Sequence, residues 1–259
     1  MRLRADILEQ LTEETISVTT IPGNQIRFYT PSTLLMSRAT SVLSKETDTI
    51  RWIDGFDDGT IFWDIGANVG GYSLYAAIQK RVSVLAFEPS AANFHVLSRN
   101  IQLNRIGDRA TAYCVAFSGK TQLGVLNMSS ASMGAAISQF GQSGEMSRYW
   151  DGQTEAAAHG MIGFTIDSFI DQFDPPFPNY LKLDVDGLEP LILEGARMTL
   201  RDTRLRSLLV ELSNSECGNA LQLLEEAGFR FVSRGATQGT QTDLAANHLF
   251  QRATCPVTG

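Results

Sequence analysis

The sequence predicts an α/β domain built on a mostly parallel sheet with helices on both faces. Three observations carry that expectation. Short apolar runs rich in Val, Ile, Leu and Phe recur between residues 60 and 213. Segments with helical spacing stand between most of them. The first run enters its helix through a glycine-rich turn, DIGANVGG at 64–71. Strands that are apolar throughout suit burial on both faces, and parallel neighbours need crossover helices to cover them.

Residues 1–58 read as an N-terminal helical extension. In it, ADILEQL has helical spacing, QIRFYT suits a short strand, and STLLMSRATSVLSK places Leu34, Leu35, Ala39 and Val42 near one helical face. The turn DDG at 57–59 closes it, and a single Rossmann-like domain is expected over 59–259. TIFWDIG is its first strand and residues 69–79 the following helix. VSVLAFE at 82–88 is the second strand. Ser90 is placed to cap a helix reaching about Asn104, with Phe94, Leu97 and Ile101 on one face. RATAYCVAF at 109–117 is the third strand and NYLKLDVDG at 179–187 the fourth, followed by the helix PLILEGARMTL. RSLLVELS at 206–213 is the fifth. Residues 218–227 form a helix stopped by Gly228, and FRFVSR with LAANHLFQR suits a closing antiparallel pair. Between the third and fourth strands, residues 118–161 break the rhythm as an irregular insertion rich in Gly, Ser, Gln and Met.

Composition narrows the function. The 259 residues are 43% hydrophobic and 19% charged, ordinary for a globular chain. A net charge of −7 and a pI near 5.0 argue against nucleic-acid and anionic-membrane partners, which need clustered Lys and Arg. No apolar stretch approaches the roughly 18 residues of a membrane span, and MRLRADILEQLTEET has no signal-peptide core. A cytoplasmic setting is expected. Cys114, Cys217 and Cys255 lie too far apart for a zinc or disulfide pattern and read as reduced thiols.

The turn at 64–71 lies where an open parallel sheet binds ligands, at the carboxyl end of a strand. Gly66 and Gly70 let the backbone turn sharply there. Glu88 ends the second strand, 24 residues after Asp64, where an acid commonly accepts bonds from ribose hydroxyls. A nicotinamide dinucleotide prefers G-x-G-x-x-G, so that its pyrophosphate can rest on bare N–H groups. Here Asn68 replaces the second glycine and Asp64 adds a carboxylate. That arrangement suits S-adenosylmethionine, which carries a ribose, an amino group and a sulfonium but no phosphate. Either acid alone could be a helix cap or a solvated strand-end group.

FWDIGANVGGYSLYAA, VLAFEPSAANFHVLSRNIQLN, TIDSFI, NYLKLDVDGLEPLILEGA and LLVELS resemble, in that order, the segments of FkbM-like methyltransferases, from about residue 60 to 213 and weakly to NHLF at 247–250. The resemblance implies a class I methyltransferase fold, S-adenosylmethionine as cofactor, and O-methylation of a sugar or natural-product hydroxyl. By position it implies that Asp64, Gly66, Ala67, Asn68 and Gly70 surround the methionine end, that Glu88 with Pro89 holds the ribose, and that Ala116 and Phe117 lie near the adenine. Asp186 stands where the family more often has Glu.

An alcohol needs a proton acceptor to become a good nucleophile. In LKLDVDGLEP, Lys182, Asp184 and Asp186 share one face by strand alternation. Asp184, at the strand's carboxyl end beside the cofactor, and Lys182, paired with Asp184 or Glu211 or orienting the acceptor oxygen, are candidate catalytic residues. His159, inside the insertion, is a candidate base because imidazole titrates near neutrality. Glu189 is placed at a helix N-terminus, where the dipole lowers a carboxylate's pKa, and reads as a cap. The D-x-D-x-x-E spacing also suits a divalent cation, but a strand end plus a cap is the commoner meaning, and no metal is expected. His95 reads as surface and His248 as packing. The segment NMSSASMGAAISQFGQSGEMSRYW is expected to bind the acceptor as a lid. A non-catalytic nucleoside-binding protein and a nicotinamide-dependent dehydrogenase are the competing readings, and the oligomeric state is left open.

Overall fold

The computed structural model describes residues 15–141, 157–236 and 245–253. It opens with a hairpin, β1 (Ile16–Ile21) and β2 (Asn24–Tyr29), turned at Pro22 and Gly23, where φ is 72°. Helices α1 (Thr33–Ser41) and α2 (Thr47–Asp54) follow, and Ser32 starts α1 by accepting the Leu35 N–H. The described part of the expected helical extension is therefore mixed. The turn dipeptide Pro-Gly, with Ile21, Ile26 and Phe28 buried on one side, pairs the expected strand at QIRFYT with a second strand, β1, that was not expected. ADILEQL lies outside the described residues. The segment packs directly on the sheet: Trp52 Nε1 donates to Ser207 Oγ at 2.9 Å, and the Phe56 ring stacks on Tyr180 at 3.9 Å.

The βα rhythm then runs as the sequence predicts. Strand β3 (Ile61–Ile65) leads into α3 (Gly71–Tyr75), which continues as a π turn through Lys80. Strand β4 (Ser83–Phe87) leads into α4 (Ala91–Asn104), where the Ser90 hydroxyl accepts the Asn93 N–H and Val96, Leu97 and Ile101 are buried. The third strand is shorter than predicted. Its first half is β5 (Ala110–Tyr113), while β6 (Ala116–Phe117) leaves for a second sheet.

That second sheet corrects the expected irregular insertion. Strands β7 (Gln122–Met128), β8 (Ser138–Gly141) and β9 (Ala157–Phe164) pair in the order β6-β9-β7-β8. Gly124 and Gly163 lie flat against the Phe140 ring, where a Cβ would come within 2.7 Å and 2.2 Å of it. Gly124, one of the glycines that made the segment look loop-like, thus serves close packing.

Helix α5 (Ile166–Phe173), capped by Thr165, returns the chain to β10 (Tyr180–Leu183). The single helix expected over 190–200 is two, α6 (Glu189–Glu194) and α7 (Arg197–Arg201). They break at Gly195, where the Ser118 carbonyl and Thr165 leave no room for a side chain. Strand β11 (Ser207–Leu212), α8 (Cys217–Glu226), β12 (Phe229–Arg234) and β13 (Ala246–Arg252) complete the chain. The central sheet has the order β12-β13-β11-β10-β3-β4-β5. It is parallel from β11 to β5, with β13 antiparallel to both its neighbours. One apolar core, around Trp63, Phe87, Leu183 and Val210, covers one face. Another, around Phe62, Ala86, Tyr180 and Leu209, covers the opposite face. No helix of the described residues is long and apolar enough to cross a membrane.

Candidate active site

Strand order reverses at β3, which has β4 on one side and β10 on the other. A crevice of about 190 Å³ opens there, at the strands' carboxyl ends. A larger hollow of about 1080 Å³, among Trp52, Tyr180, Arg206 and Arg252, lies at the amino end of the sheet, away from these carboxylates.

Strand register builds the crevice floor. Lys182 stands opposite Asp64 on one side and Leu209 on the other, and Leu183 stands opposite Val210. The next step along the strands sets Asp184 beside Glu211. Lys182 is only 2% exposed, and its Nζ donates to Asp184 Oδ2 at 2.5 Å while lying 5.2 Å from the Tyr72 ring centre. Burial alone would lower the Lys182 ammonium, but Asp184, Glu46 and Asp64 together raise it above its usual range. Burial likewise pushes Asp184 up, and Lys182 outweighs it, holding that carboxyl below its usual range. The expected Lys182–Asp184 pair is present.

The glycine turn is closed on itself. The N–H groups of Gly66 and Ala67 both donate to the Phe87 carbonyl at 3.0 Å, Asn68 N–H donates to Glu88 Oε2 at 2.8 Å, and Gly70 N–H donates to the Ala67 carbonyl. Gly66, Ala67, Asn68, Glu88 and Pro89 line the crevice as expected. Asn68 holds a φ of 51°. Glu88 accepts a second N–H from Ser90 at 2.9 Å, and burial raises its carboxyl to about 7.

Four expected ligand contacts are corrected. Asp64 lies beneath the floor: its Oδ2 accepts the Ser73 hydroxyl at 2.5 Å, its Oδ1 is buried without a hydrogen-bond partner among the described residues, and burial raises its pKa. Gly70 faces α4, where a Cβ would meet Leu97 Cδ1 at 2.5 Å, and so serves packing. Ala116 and Phe117 sit in the apolar core with Trp63, Phe87 and Phe169, because the chain has already left the central sheet. Glu189 ties down the turn before its helix, accepting the N–H groups of Val185 and Gly187, where a helix cap was expected, and its pKa moves opposite to the expected direction: burial raises it to about 8. A six-residue helix offers too little dipole to offset that burial.

His159 is on β9, with Nε2 at 3.2 Å from the Pro89 carbonyl, outside the crevice lining. His95 is exposed, and His248 is buried between the Ala246 carbonyl and Cys217 Sγ. Asp186 is bent away from the strand face by a φ of 60°, and its Oδ2 accepts the N–H groups of Ile137 and Ser138. No group of three or more His, Cys, Asp or Glu among the described residues is arranged to hold a metal ion.

The β7–β8 loop roofs the crevice. Asn68 and Asn93 both donate side-chain N–H groups to the Ala135 carbonyl, Gly134 N–H donates to Asn93 Oδ1 at 2.7 Å, and Arg38 Nε donates to the Gly134 carbonyl. This is the described part of the expected lid; residues 142–150 lie outside the described residues. Sequence reasoning missed Asn93, Arg38, Lys45, Glu46 and Tyr72 as lining residues and gave Glu211 only as a partner for Lys182. Glu211 and Asn93 carry a readable signal, a polar group on an otherwise apolar strand or helix face. Arg38, Lys45 and Glu46 carry none, because only the tertiary fold brings α1 and the turn after it to the strand ends.

The profile of the Methyltransferase FkbM domain matches residues 64–231. A protein of Haloferax volcanii described as "Hexuronic acid methyltransferase AglP" is 24% identical over 192 residues, 71% of this chain and 70% of that protein. Among solved structures, a precorrin-6y C5,15-methyltransferase from Geobacter metallireducens superposes with a TM-score of 0.47 at 11% identity, covering 83% of this chain and 93% of that one. M. jannaschii TYW2 in complex with AdoMet gives 0.45 at 9% identity, covering 92% and 87%.

Proposed function

This chain belongs to the FkbM methyltransferase family, and from that premise we propose that it is a cytoplasmic O-methyltransferase. It would use S-adenosylmethionine and act on a hydroxyl of a small saccharide or natural-product acceptor. One observation carries the choice of cofactor. The amides of Gly66, Ala67, Asn68 and Gly70 are all spent inside the turn, and carboxylates stand around it. A pyrophosphate would find those four donors already engaged and several like charges beside them. A ribose finds acceptors: Glu88 lines the crevice, and Asn68 beside it has a buried Oδ1 with no partner among the described residues.

Glu88 and Asn68 would hold the cofactor's ribose, with Asp184 and Tyr72 toward its methionine end. Bound there, the cofactor supplies an electrophilic methyl on a positively charged sulfur. The chain's own work is alignment and exclusion of water, and alignment supplies roughly 7–11 kcal/mol in favourable intramolecular cases. Lys182 holds Asp184 in one place, and Asp186 holds the roof down. The crevice is narrower than the roughly 300–1,000 Å³ of most small-molecule sites, so ligand entry requires the loop carrying Ala135 to lift.

A saccharide acceptor is supported by the archaeal relative, whose name assigns it a hexuronic acid. Arg38 and Lys45 line the crevice here and would face an acceptor carboxylate. The test is calorimetry with S-adenosylmethionine, S-adenosylhomocysteine and NAD, then labelled-methyl transfer to a hydroxyl panel that includes glucuronic acid. Binding of both adenosyl ligands with turnover is the expected result. Binding of NAD alone overturns the assignment, and tight cofactor binding without turnover on any acceptor favours a nucleoside-binding protein.

A further inference from the structure

The acids that line the crevice are nearly all engaged. Glu88 accepts the N–H groups of Asn68 and Ser90, Asp186 those of Ile137 and Ser138, and Asp184 is held by Lys182 Nζ. Glu46 accepts from Thr49 Oγ1 and Asn247 Nδ2. Glu211 differs. It is half-buried on β11, lines the same crevice beside Asp184, and receives no hydrogen bond from a described residue. An acid inside a strand this apolar has no packing purpose.

We propose that Glu211 is the catalytic proton acceptor of the methyl transfer, an inference that rests on the methyltransferase reading above. The acceptor's O–H bond breaks and its proton bonds to a Glu211 carboxylate oxygen. The acceptor oxygen's electron pair forms the new O–CH₃ bond, the S–CH₃ pair stays on sulfur to leave a neutral thioether, and Glu211 then releases its proton to water.

The alternatives are weaker on geometry. Asp184 has its charge spent on Lys182, so it attracts a proton poorly. His159 faces the Pro89 carbonyl outside the crevice. The charges around Glu211 explain how its own proton is controlled. Asp184, Lys182 and Asp186 face it from β10 and the following loop, and Glu189 from α6. Its β13 neighbour is the uncharged Asn247, while Lys45, Glu46 and Tyr72 line the crevice opposite. The Asp184 charge, then burial, raise Glu211 above its usual range, which favours its protonated form before a ligand binds. A sulfonium entering beside it opposes those carboxylates and favours ionisation. The base is thereby produced when the methyl donor arrives.

The test needs no acceptor. Calorimetry at pH 8 in two buffers of different ionisation enthalpy counts the protons released as each ligand binds. The wild-type chain should release more protons with S-adenosylmethionine than with neutral S-adenosylhomocysteine. Glu211→Gln should erase that difference and weaken S-adenosylmethionine, while changing the Kd of S-adenosylhomocysteine by less than about threefold, and Glu211→Asp should restore both. With an acceptor from the panel, Glu211→Gln should lower kcat by roughly 10²–10⁴-fold with little change in KM. Equal proton release by wild type and Glu211→Gln, with binding intact, overturns the inference. Failure of the wild-type chain to bind either adenosyl ligand overturns the methyltransferase reading beneath it.

Discussion

The two ends of the crevice are built on opposite plans. At the β3–β4 end, Glu88, Asn68 and Asn93 are each tied to backbone groups, so the wall is a hydrogen-bonded frame with a fixed shape. At the β10–β11 end, a buried lysine stands among Asp64, Asp184 and Glu211, and bonds are too few to satisfy them all. The first plan suits recognition, where donors and acceptors must wait in position. The second stores charge and suits proton transfer. Both plans meet at the carboxyl ends of the central parallel strands, which bring the strand residues, the glycine turn and the start of α4 together.

The largest effect should come from the charged end. Lys182→Met leaves Asp184 and Asp64 without their cation, and losing one partner of a buried pair costs about 3–5 kcal/mol. Urea unfolding should show a loss of that size, and a loss under about 1 kcal/mol would mean that the acids are held by something else. At the framed end, Glu88→Gln should weaken S-adenosylmethionine by about 10–100-fold, equivalent to roughly 1.4–2.8 kcal/mol, with a near-normal melting temperature. Unchanged affinity would remove Glu88 from the ribose site and blur the contrast between the ends.

Smaller changes sharpen it. Asn93→Ala removes two bonds to the roof loop, at about 1 kcal/mol each. Hydrogen exchange at Gly134 should speed up, while exchange in β3 and β4 stays unchanged. If both change together, roof and floor form one cooperative unit. The last effect is a slope. Glu189 has its pKa raised by burial from 4.5 to about 8, so the folded chain holds its proton more tightly than the unfolded chain does. Its stabilising share is complete below pH 4.5 and is lost as pH rises through about 8. Melting temperature should fall across that window, and Glu189→Gln should flatten the fall; an unaltered slope would place the titration elsewhere.

Much of this was legible in the sequence. Apolar strand runs, the capping Ser90 and the acid pair at 64 and 88 located the sheet, α4 and the crevice, because those signals are local. What failed was non-local. Gly124 looked like a loop residue, yet it is a flat seat for the Phe140 ring. Phe117 appeared to end a central strand, but the chain crosses to another sheet after Tyr113. Asp64 had the right neighbours for a ligand contact, and only Ser73 at 2.5 Å shows that it faces inward. Glu189 was identified as a cap from its position, but its proton affinity depends on burial, which position does not report.

Gly66 has a practical consequence. With a φ of 84°, it faces the Asp184 carbonyl so closely that a Cβ would stand 1.8 Å from that oxygen. Any side chain would wedge the ends of β3 and β10 apart. A saturation mutagenesis screen scored by growth or turnover would rank position 66 beside the chemical residues, although its failure would be one of clearance. Only soluble yield, read alongside activity, separates a lost reaction from a chain that never assembled.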